Sequence, residues 1–306
     1  MIVHHEPASP QGEVSLLILG AGWTSTFLLP LLQREGISHA ATTTTGRDGT
    51  IPFLFDPESS DTTPFTALPS AKTILITFPL KGPGPSSRLV SSYAATHAAA
   101  AASVRYIQFG VTSIWNAEDW QDTDSPYDTS NPRAVAEDEL MRVAPDGNAS
   151  VLSLAGLYGA ARQPRNWVHR VITSKEALRA KGALHVIHGE DVARAVVALH
   201  RNFTPRKRWL LCDMHVYDWW DLTEDWARQT MALAAAGGEG QNEGEGESVS
   251  EEEVEKQGKL LKWVGELMWE ENVRALPRNM ELLGRRLDGR GFWQHIGIWP
   301  SQGRIR

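Results

Sequence analysis

Residues 15–49 read SLLILGAGWTSTFLLPLLQREGISHAATTTTGRDG, and their order predicts the architecture. The apolar run over residues 16–19 is too short for an amphipathic helix and is typical of a buried parallel strand. Two glycines follow, then a helix-like run over residues 23–35 and a stretch rich in β-branched residues over 38–45. Strand, glycine turn, helix and strand in this order predict the opening unit of a dinucleotide-binding fold.

The glycine turn predicts a cofactor site at the start of the first helix. Gly20 permits a tight turn, and Gly22 lets backbone N–H groups approach a pyrophosphate at the helix N-terminus. Ser25 stands where the usual pattern has its third glycine, and it is small enough for close helix–strand packing. We therefore expect Gly20, Gly22, Trp23, Thr24 and Ser25 to contact the cofactor. The alternative is a Rossmann-like unit that keeps the turn for packing and holds no ligand.

The end of the second strand indicates which cofactor would bind. A unit that binds NAD typically places Asp or Glu about 20 residues beyond the glycines, on the ribose 2′-hydroxyl. Residues 42–47 read TTTTGR and contain no carboxylate. Thr44 and Arg47 offer a hydroxyl and a planar guanidinium instead, which suit a 2′-phosphate. NADP(H) is therefore favoured over NAD(H), the alternative being that Arg47 is only an exposed turn residue.

The composition limits the class of protein. A chain of 306 residues with 42% hydrophobic residues can bury a complete core. The one cysteine, Cys212, excludes a disulfide framework and a cysteine-based zinc site. Residues 237–258 hold eight Glu and one Lys, which equals the whole net charge of −7, so the remainder is neutral and has no basic stripe for nucleic acid. No apolar run approaches a membrane span and no signal-peptide pattern is present, so we expect a cytoplasmic protein without membrane contact.

A doubly wound parallel Rossmann sheet with a small C-terminal substrate lobe is the expected α/β architecture. Strands are predicted at residues 51–55, 72–79, 104–109, 151–157 and 184–187, and helices at 87–102, from 132, at 166–181 and at 192–200, with Asn131 and residues 188–191 as helix caps. Ligands of such sheets lie beyond the carboxyl ends of the strands, so Phe78, Pro79 and Gly110 are expected beside the cofactor.

The chain is predicted to have three parts. Residues 1–13 are expected to be a disordered leader, 14–204 the NADP-binding domain, and 205–306 the lobe, to which 166–182 also contribute. The tryptophans after residue 208 are expected to pack this lobe. The acidic insert, residues 237–258, cannot bury apolar surface and is expected to be disordered.

The chain resembles the extended branch of the short-chain dehydrogenase/reductase superfamily, specifically its atypical members related to NAD-dependent epimerase/dehydratases. The resemblance is carried by LLILGAGWTSTF at the start, GVTSIWN after the fifth strand, SLAGLYG after the sixth, HVIHGEDVARAVVALH, and the late GRRLDGRGFWQHIGIWP. It implies an NADP-dependent oxidoreductase or epimerase-like enzyme acting on an unknown small molecule.

The catalytic pattern of that family is only partly present. Its members use a Tyr and, four residues later, a Lys that lowers the pKa of the phenol for proton exchange. Residues 125–140 read SPYDTSNPRAVAEDEL. One alignment gives Tyr127 with Asn131 in the lysine position, and another gives Arg133 in the lysine position with Thr129 replacing the tyrosine. A non-catalytic NADP-binding redox sensor or scaffold is therefore the alternative function.

Further site residues follow from the resemblance. The family's Ser or Thr after strand five falls on Val111, which leaves Thr112 and Ser113 as displaced hydroxyls beside the candidates Tyr127 and Arg133. Residues after the sixth strand would face the cleft between the two parts and hold a polar or anionic group of the substrate; these candidates are Tyr158, Arg162, Arg165 and Trp167.

Overall fold

The computed structural model describes residues 12–237 and 249–305. The strands in these ranges are β1 (Val14–Leu19), β2 (His39–Thr43), β3 (Ile51–Pro52), β4 (Ala71–Ile76), β5 (Arg105–Val111), β6 (Trp120–Gln121), β7 (Ala149–Leu154), β8 (Gly156–Tyr158), β9 (Ala183–Leu184), β10 (Val186–His188), β11 (Lys207–Leu211), β12 (Tyr217–Asp218) and β13 (Arg286–Leu287). The α-helices are α1 (Ser25–Arg34), α2 (Pro85–Thr96), α3 (Ala98–Ala101), α4 (Pro132–Val143), α5 (Val168–Val171), α6 (Lys175–Arg179), α7 (Gly189–Arg201), α8 (Trp219–Gly237), α9 (Glu251–Glu270) and α10 (Arg290–Ile296). Within the described ranges, none of these helices is long and apolar enough to cross a membrane.

Seven strands form the central sheet in the order β11-β7-β5-β4-β1-β2-β3, and all their pairings are parallel. Leu17 of β1 is in register with Ala40 on one side and Ile74 on the other. The chain builds outward from β1 to β3 and then resumes on the opposite side of β1 with β4. This reversal between β1 and β4 is the topological switch point of a doubly wound sheet. The predicted doubly wound parallel sheet is confirmed.

Apolar side chains of β1 are buried on both faces of the sheet, as a central parallel strand requires. Leu16 and Ile18 enter the core beneath α1, α7 and α10, whereas Leu17 and Leu19 enter the core beneath α2 and α4. A third core belongs to the lobe and joins α5, α6, α8 and α9. Three of the late tryptophans are buried in this third core: Trp219, Trp220 and Trp226. Trp209 and Trp293 are buried in the core beneath α7 and α10 instead, so the prediction that the late tryptophans pack the lobe holds only in part.

Helix starts follow the predicted capping chemistry in part. Asn131 caps α4 by accepting a hydrogen bond from the backbone N–H of Arg133 at 3.0 Å. His188 caps α7 by accepting from the N–H of Glu190 at 3.2 Å. Asp191 instead accepts hydrogen bonds from the backbone N–H groups of residues 301 and 302 and so ties the end of the described chain to α7.

The predicted boundary between residues 204 and 205 divides the central sheet. β11 lies beyond that boundary, yet it pairs with β7 along its whole length. α10 also returns to the sheet, where Phe292 and Trp293 are buried in the same core as β1. The lobe therefore consists of separate segments inserted between core elements, and Val168, Ile172 and Leu178 are buried in its core.

Three predicted elements are wrong. Residues 87–102 do not form one helix, because α2 ends at Thr96 and α3 begins at Ala98 after the non-helical His97. Residues 166–181 do not form one helix: α5 ends at Val171, and α6 starts afresh at Lys175 with Ser174 as its cap. The acidic insert is not disordered over residues 251–258, because α9 begins at Glu251. Ser250 caps α9, and the three carboxylates in its first turn interact favourably with the positive end of the helix dipole. Residues 238–248 of the insert, and 1–11 of the predicted leader, lie outside the described residues.

A buried ion pair joins three segments of the lobe. The Asp218 carboxylate accepts hydrogen bonds from the backbone N–H and the guanidinium of Arg278, at 2.6–3.1 Å. The same guanidinium donates to the carbonyl of Lys181 at 2.7 Å and lies 4.0 Å from the ring centroid of Trp220. Nε and Nη2 of Arg278 and both carboxylate oxygens of Asp218 are thus hydrogen-bonded within the lobe.

Replacing Asp218 by Ala should lower the free energy of unfolding by about 3–5 kcal/mol, because it leaves the Arg278 charge buried without its partner. Asp124→Ala is the matched control: Asp124 pairs with Lys207, is 81% exposed, and should change stability by less than about 1 kcal/mol. Urea unfolding followed by circular dichroism measures both. Equal losses for the two variants would contradict the role of the buried pair.

Candidate functional site

A cavity of about 320 Å³ opens at the carboxyl ends of β1, β5 and β7. Its position beside the switch point is where doubly wound sheets bind their ligands. The residues that line it come from the glycine turn, three strand ends, α4 and the segment after β8: Gly20, Gly22, Trp23, Thr24, Thr77, Phe109, Gly110, Val111, Arg133, Leu154, Ala155, Leu157 and Arg162.

The turn after β1 is held by two threonines. Gly20 has φ +93°, and its N–H donates to the Thr42 hydroxyl at 3.0 Å. The Thr77 hydroxyl donates to the carbonyls of Leu19 and Gly20, and a Cβ on Gly20 would lie only 2.7 Å from its oxygen. Gly22, by contrast, has open space where its Cβ would stand. The turn is therefore closed on its strand side and open on its cavity side.

Two backbone donors are free at the start of α1. Among the described residues, the N–H groups of Trp23 and Thr24 have no acceptor, while that of Gly22 donates to the Gly20 carbonyl at 2.8 Å. Such N–H groups at a helix N-terminus favour anions. The Ser25 side chain is buried behind the turn, so of the five predicted contacts at this turn it is the one that does not line the cavity.

The segment after β2 leaves its cation exposed. The Thr43 hydroxyl accepts hydrogen bonds from the N–H groups of Gly46 and Arg47, at 2.9 and 3.2 Å, which fixes the backbone. Thr44 and Arg47 are both exposed, and the Arg47 guanidinium makes no hydrogen bond or ion pair with the residues that the structure describes. An exposed guanidinium without a partner can bind an anionic group from solution.

The residues expected at the ends of β4 and β5 take different places. Gly110 lines the cavity, whereas Phe78 packs beside Gly20 and stacks on Phe55, and Pro79 is exposed outside it. Thr77, which directly precedes Phe78, lines the cavity and is the polar lining residue that the sequence analysis missed. The only signal for it was its place at the end of a buried strand. The analysis also missed four apolar lining residues, namely Phe109, Leu154, Ala155 and Leu157.

Arg133 is the predicted catalytic candidate that reaches the cavity. Its guanidinium donates to the Phe109 carbonyl and lies 3.7 Å from the buried carboxylate of Glu137. Burial raises the pKa of Glu137, and the guanidinium of Arg208, paired with its other oxygen, opposes that shift. The alignment that places an arginine in the family's lysine position therefore places a cation beside Gly110.

The other three catalytic candidates lie outside this cavity. The Tyr127 hydroxyl donates to Asp138 at 2.8 Å, and its ring packs against the guanidinium of Arg208. Burial raises the pKa of this phenol. Thr112 is buried, and Ser113 lines a separate cleft of about 650 Å³ next to the lobe. A catalytic role for any of the three stays a prediction.

The four substrate candidates are divided between two places. Arg162 lines the cavity of the glycine turn. Tyr158 and Arg165 line a second cavity, of about 400 Å³, together with His188. Trp167 packs against Gly156 and the lobe core, where a Cβ on that glycine would lie 3.3 Å from its ring.

No model of a known protein family matches the chain, and no curated protein matches its sequence. Among solved structures, a functionally unknown conserved protein from Silicibacter pomeroyi is similar at 18% identity and TM-score 0.58, covering 96% of this chain and 95% of that one. A UDP-N-acetylglucosamine 4-epimerase from Bacillus cereus is similar at 8% identity and TM-score 0.54, covering 94% of both chains. The human epimerase family protein SDR39U1, solved with NADPH, is similar at 12% identity and TM-score 0.53, covering 95% of this chain and 96% of that one. The chain therefore shares its fold with these solved structures, two of which are epimerase-family proteins, in agreement with the fold that the sequence resemblance implied.

Gly20→Ala should lower the free energy of unfolding by about 1–3 kcal/mol, because alanine is strained at this φ and its Cβ would collide with the Thr77 hydroxyl. Gly22→Ala is the control two residues away and should change stability by no more than about 0.5 kcal/mol, since its Cβ would meet open space. Thermal and urea unfolding measure both. A larger loss for Gly22→Ala than for Gly20→Ala would contradict this description of the turn.

Proposed function

We propose that this protein binds NADP(H) in the cavity at the glycine turn and acts as an NADP-dependent oxidoreductase of the atypical extended short-chain dehydrogenase type on a small molecule. The observation that carries the proposal is the cavity itself. It lies at the switch point of the sheet, and its described lining contains two arginines and no carboxylate. The dianionic diphosphate of such a cofactor suits this lining.

The residues present fit a dinucleotide. Open space at Gly22 allows a ligand to approach the backbone closely, and the free N–H groups of Trp23 and Thr24 lie at the positive end of the α1 dipole. The exposed Arg47, beyond the neighbouring strand β2, would hold the 2′-phosphate through its planar fork. The similar human structure was solved with NADPH, which supports the same cofactor class here.

When bound, NADPH supplies a hydride to a carbonyl carbon. The apolar side chains of Leu154, Ala155 and Leu157 would exclude water from that end of the cavity. Arg133, held in place by the Phe109 carbonyl, would present positive charge to a carbonyl oxygen as it becomes negative. A guanidinium keeps its proton at neutral pH, so Arg133 would stabilise the developing charge only. The proton that converts the alkoxide to the alcohol would come from water at the open mouth of the cavity.

A second candidate function is a non-catalytic NADP-binding sensor or scaffold. The observation that favours it is the state of Tyr127, whose hydroxyl is bound to Asp138 outside the cavity. Among the described residues that line the cavity, only Thr24 and Thr77 carry a side-chain hydroxyl, and none is a histidine. The cavity therefore offers no tyrosine or imidazole as a proton donor in place of Tyr127. The two candidates share the cofactor and differ in turnover.

Wild-type protein should bind NADPH at least about tenfold tighter than NADH, and Arg47→Ala should remove about 1.5–3 kcal/mol of that preference, the value of a charge-assisted hydrogen bond. Arg34→Ala, which removes an exposed arginine at the far end of α1, should leave the preference intact. Isothermal titration calorimetry with both cofactors measures these differences. Equal affinities of the wild type for NADPH and NADH would refute the 2′-phosphate assignment.

Tyr127→Phe should change NADPH oxidation with an accepted carbonyl compound by less than about tenfold, because the phenol is bound to Asp138 outside the cavity. A proton donor would instead be worth roughly 10²–10⁴ in turnover. Arg133→Gln should lower turnover by roughly 10²–10³, the usual loss for one group that stabilises a developing oxyanion. Loss of NADPH absorbance across a panel of carbonyl compounds is the measurement. NADPH binding without oxidation of any panel member would favour the sensor or scaffold.

A further inference from the structure

The two arginines of the cavity differ in what they already bind. Arg133 donates to the Phe109 carbonyl and faces the Glu137 carboxylate at 3.7 Å. The Arg162 guanidinium makes no hydrogen bond or ion pair with any residue in the described part of the chain. Its charge is therefore the one in this cavity that a ligand can use at no loss of an existing ion pair.

A tight turn fixes the place of Arg162. The N–H of Gly159 donates to the Arg162 carbonyl at 2.8 Å, and the N–H of Arg162 donates to the Gly159 carbonyl at 3.0 Å. Ala160, inside the turn, has φ +49°, and a Cβ on Gly159 would lie 2.4 Å from the His188 ring. Such a turn holds its backbone rigidly, so the Arg162 side chain starts from a defined position at the cavity wall.

The guanidinium lies over an aromatic ring at the start of α1. The Cζ atom of Arg162 is 4.6 Å from the centroid of Trp23. That indole is itself packed edge-on against Phe27, and Gly189 leaves just enough room for both rings. Trp23 also carries one of the two free N–H groups of the helix N-terminus. The unpaired Arg162 guanidinium therefore lies close to the free backbone N–H groups, which favour binding of a phosphate.

We propose that Arg162 binds the diphosphate of NADP(H), exchanging its contact with Trp23 for phosphate oxygens when the cofactor enters. This inference rests on the proposed function and assigns Arg162 to the cofactor instead of the substrate. A cation–π contact at an exposed site is weaker than a charge-assisted hydrogen bond to phosphate, so the exchange is favourable. In the free protein, the indole keeps the guanidinium at the cavity and reduces the conformational entropy lost on binding.

The test compares affinities of three probes for four proteins by calorimetry, with competition against NADPH for the weak probe. The proteins are the wild type, Arg162→Ala, Arg162→Lys and, as the matched control, Arg165→Ala. The probes are NADPH, 2′-phospho-ADP-ribose, which keeps the diphosphate but lacks nicotinamide, and adenosine 2′-monophosphate, which lacks the diphosphate. Arg162→Ala should raise Kd for the first two probes by about 10- to 100-fold and for the third by less than about threefold.

The controls separate this inference from its alternatives. Arg162→Lys should recover part of the affinity, because it keeps the charge without the planar fork, and Arg165→Ala should leave all three constants within about threefold. Unchanged melting temperatures would show that the variants fold, as expected for an exposed side chain whose described partner is one indole. Unchanged NADPH affinity in Arg162→Ala, or a loss for NADPH without one for 2′-phospho-ADP-ribose, would overturn the diphosphate assignment while leaving the proposed function standing. Failure of the wild type to bind NADPH would overturn both.

Discussion

The last four residues of β1 are fully buried, with side chains on both faces of the sheet, and the arrangement of the candidate site follows from this burial. Because Leu16 and Ile18 fill one core while Leu17 and Leu19 fill the other, β1 cannot shift by one residue without exchanging its two faces. Its end is therefore fixed, and Gly20 must turn the chain within a single residue. Thr42 of β2 and Thr77, which directly follows β4, hold that turn by hydrogen bonds. The free donors of α1 are positioned by the same constraint.

Beneath the cavity lies a second constraint, a cluster of buried charges on one face of α4. Glu137 stands between the guanidinium groups of Arg133 and Arg208, and Arg208 also binds Asp138. One oxygen of Glu137 has no hydrogen-bond partner among the described residues and would lie 2.9 Å from a Cβ on Gly110. An arginine in the lysine position thus has a buried counter-charge, which helps to keep its guanidinium at the cavity wall. Gly110, the last residue but one of β5, must therefore be glycine for this packing to fit.

Local chemistry explains which features could be predicted from the sequence. The apolar run of β1, the glycine turn and the Asn131 cap each depend on neighbours within a few residues, and each was predicted correctly. The sequence did not predict that Arg162 and Arg165 line different cavities. They do so because the turn after β8 directs side chains that are three residues apart toward different parts of the surface. Thr77 was missed for a similar reason. Its hydroxyl donates to the carbonyl of Gly20, which is distant in the sequence, so this contact can be seen only in the folded chain.

The interleaving of core and lobe determines how the molecule can be divided. After β7 the chain forms α5 and α6 of the lobe, and α7 and β11 then belong to the sheet core. α8 and α9 belong to the lobe again, and α10 packs on the sheet. Neither part is a contiguous stretch, so no single cut of the chain separates them. A fragment ending at residue 204 would lose β11 and leave β7 as an unprotected edge with free backbone donors and acceptors. It would also uncover the apolar surface beneath α10, and exposed edges of this kind are templates for aggregation.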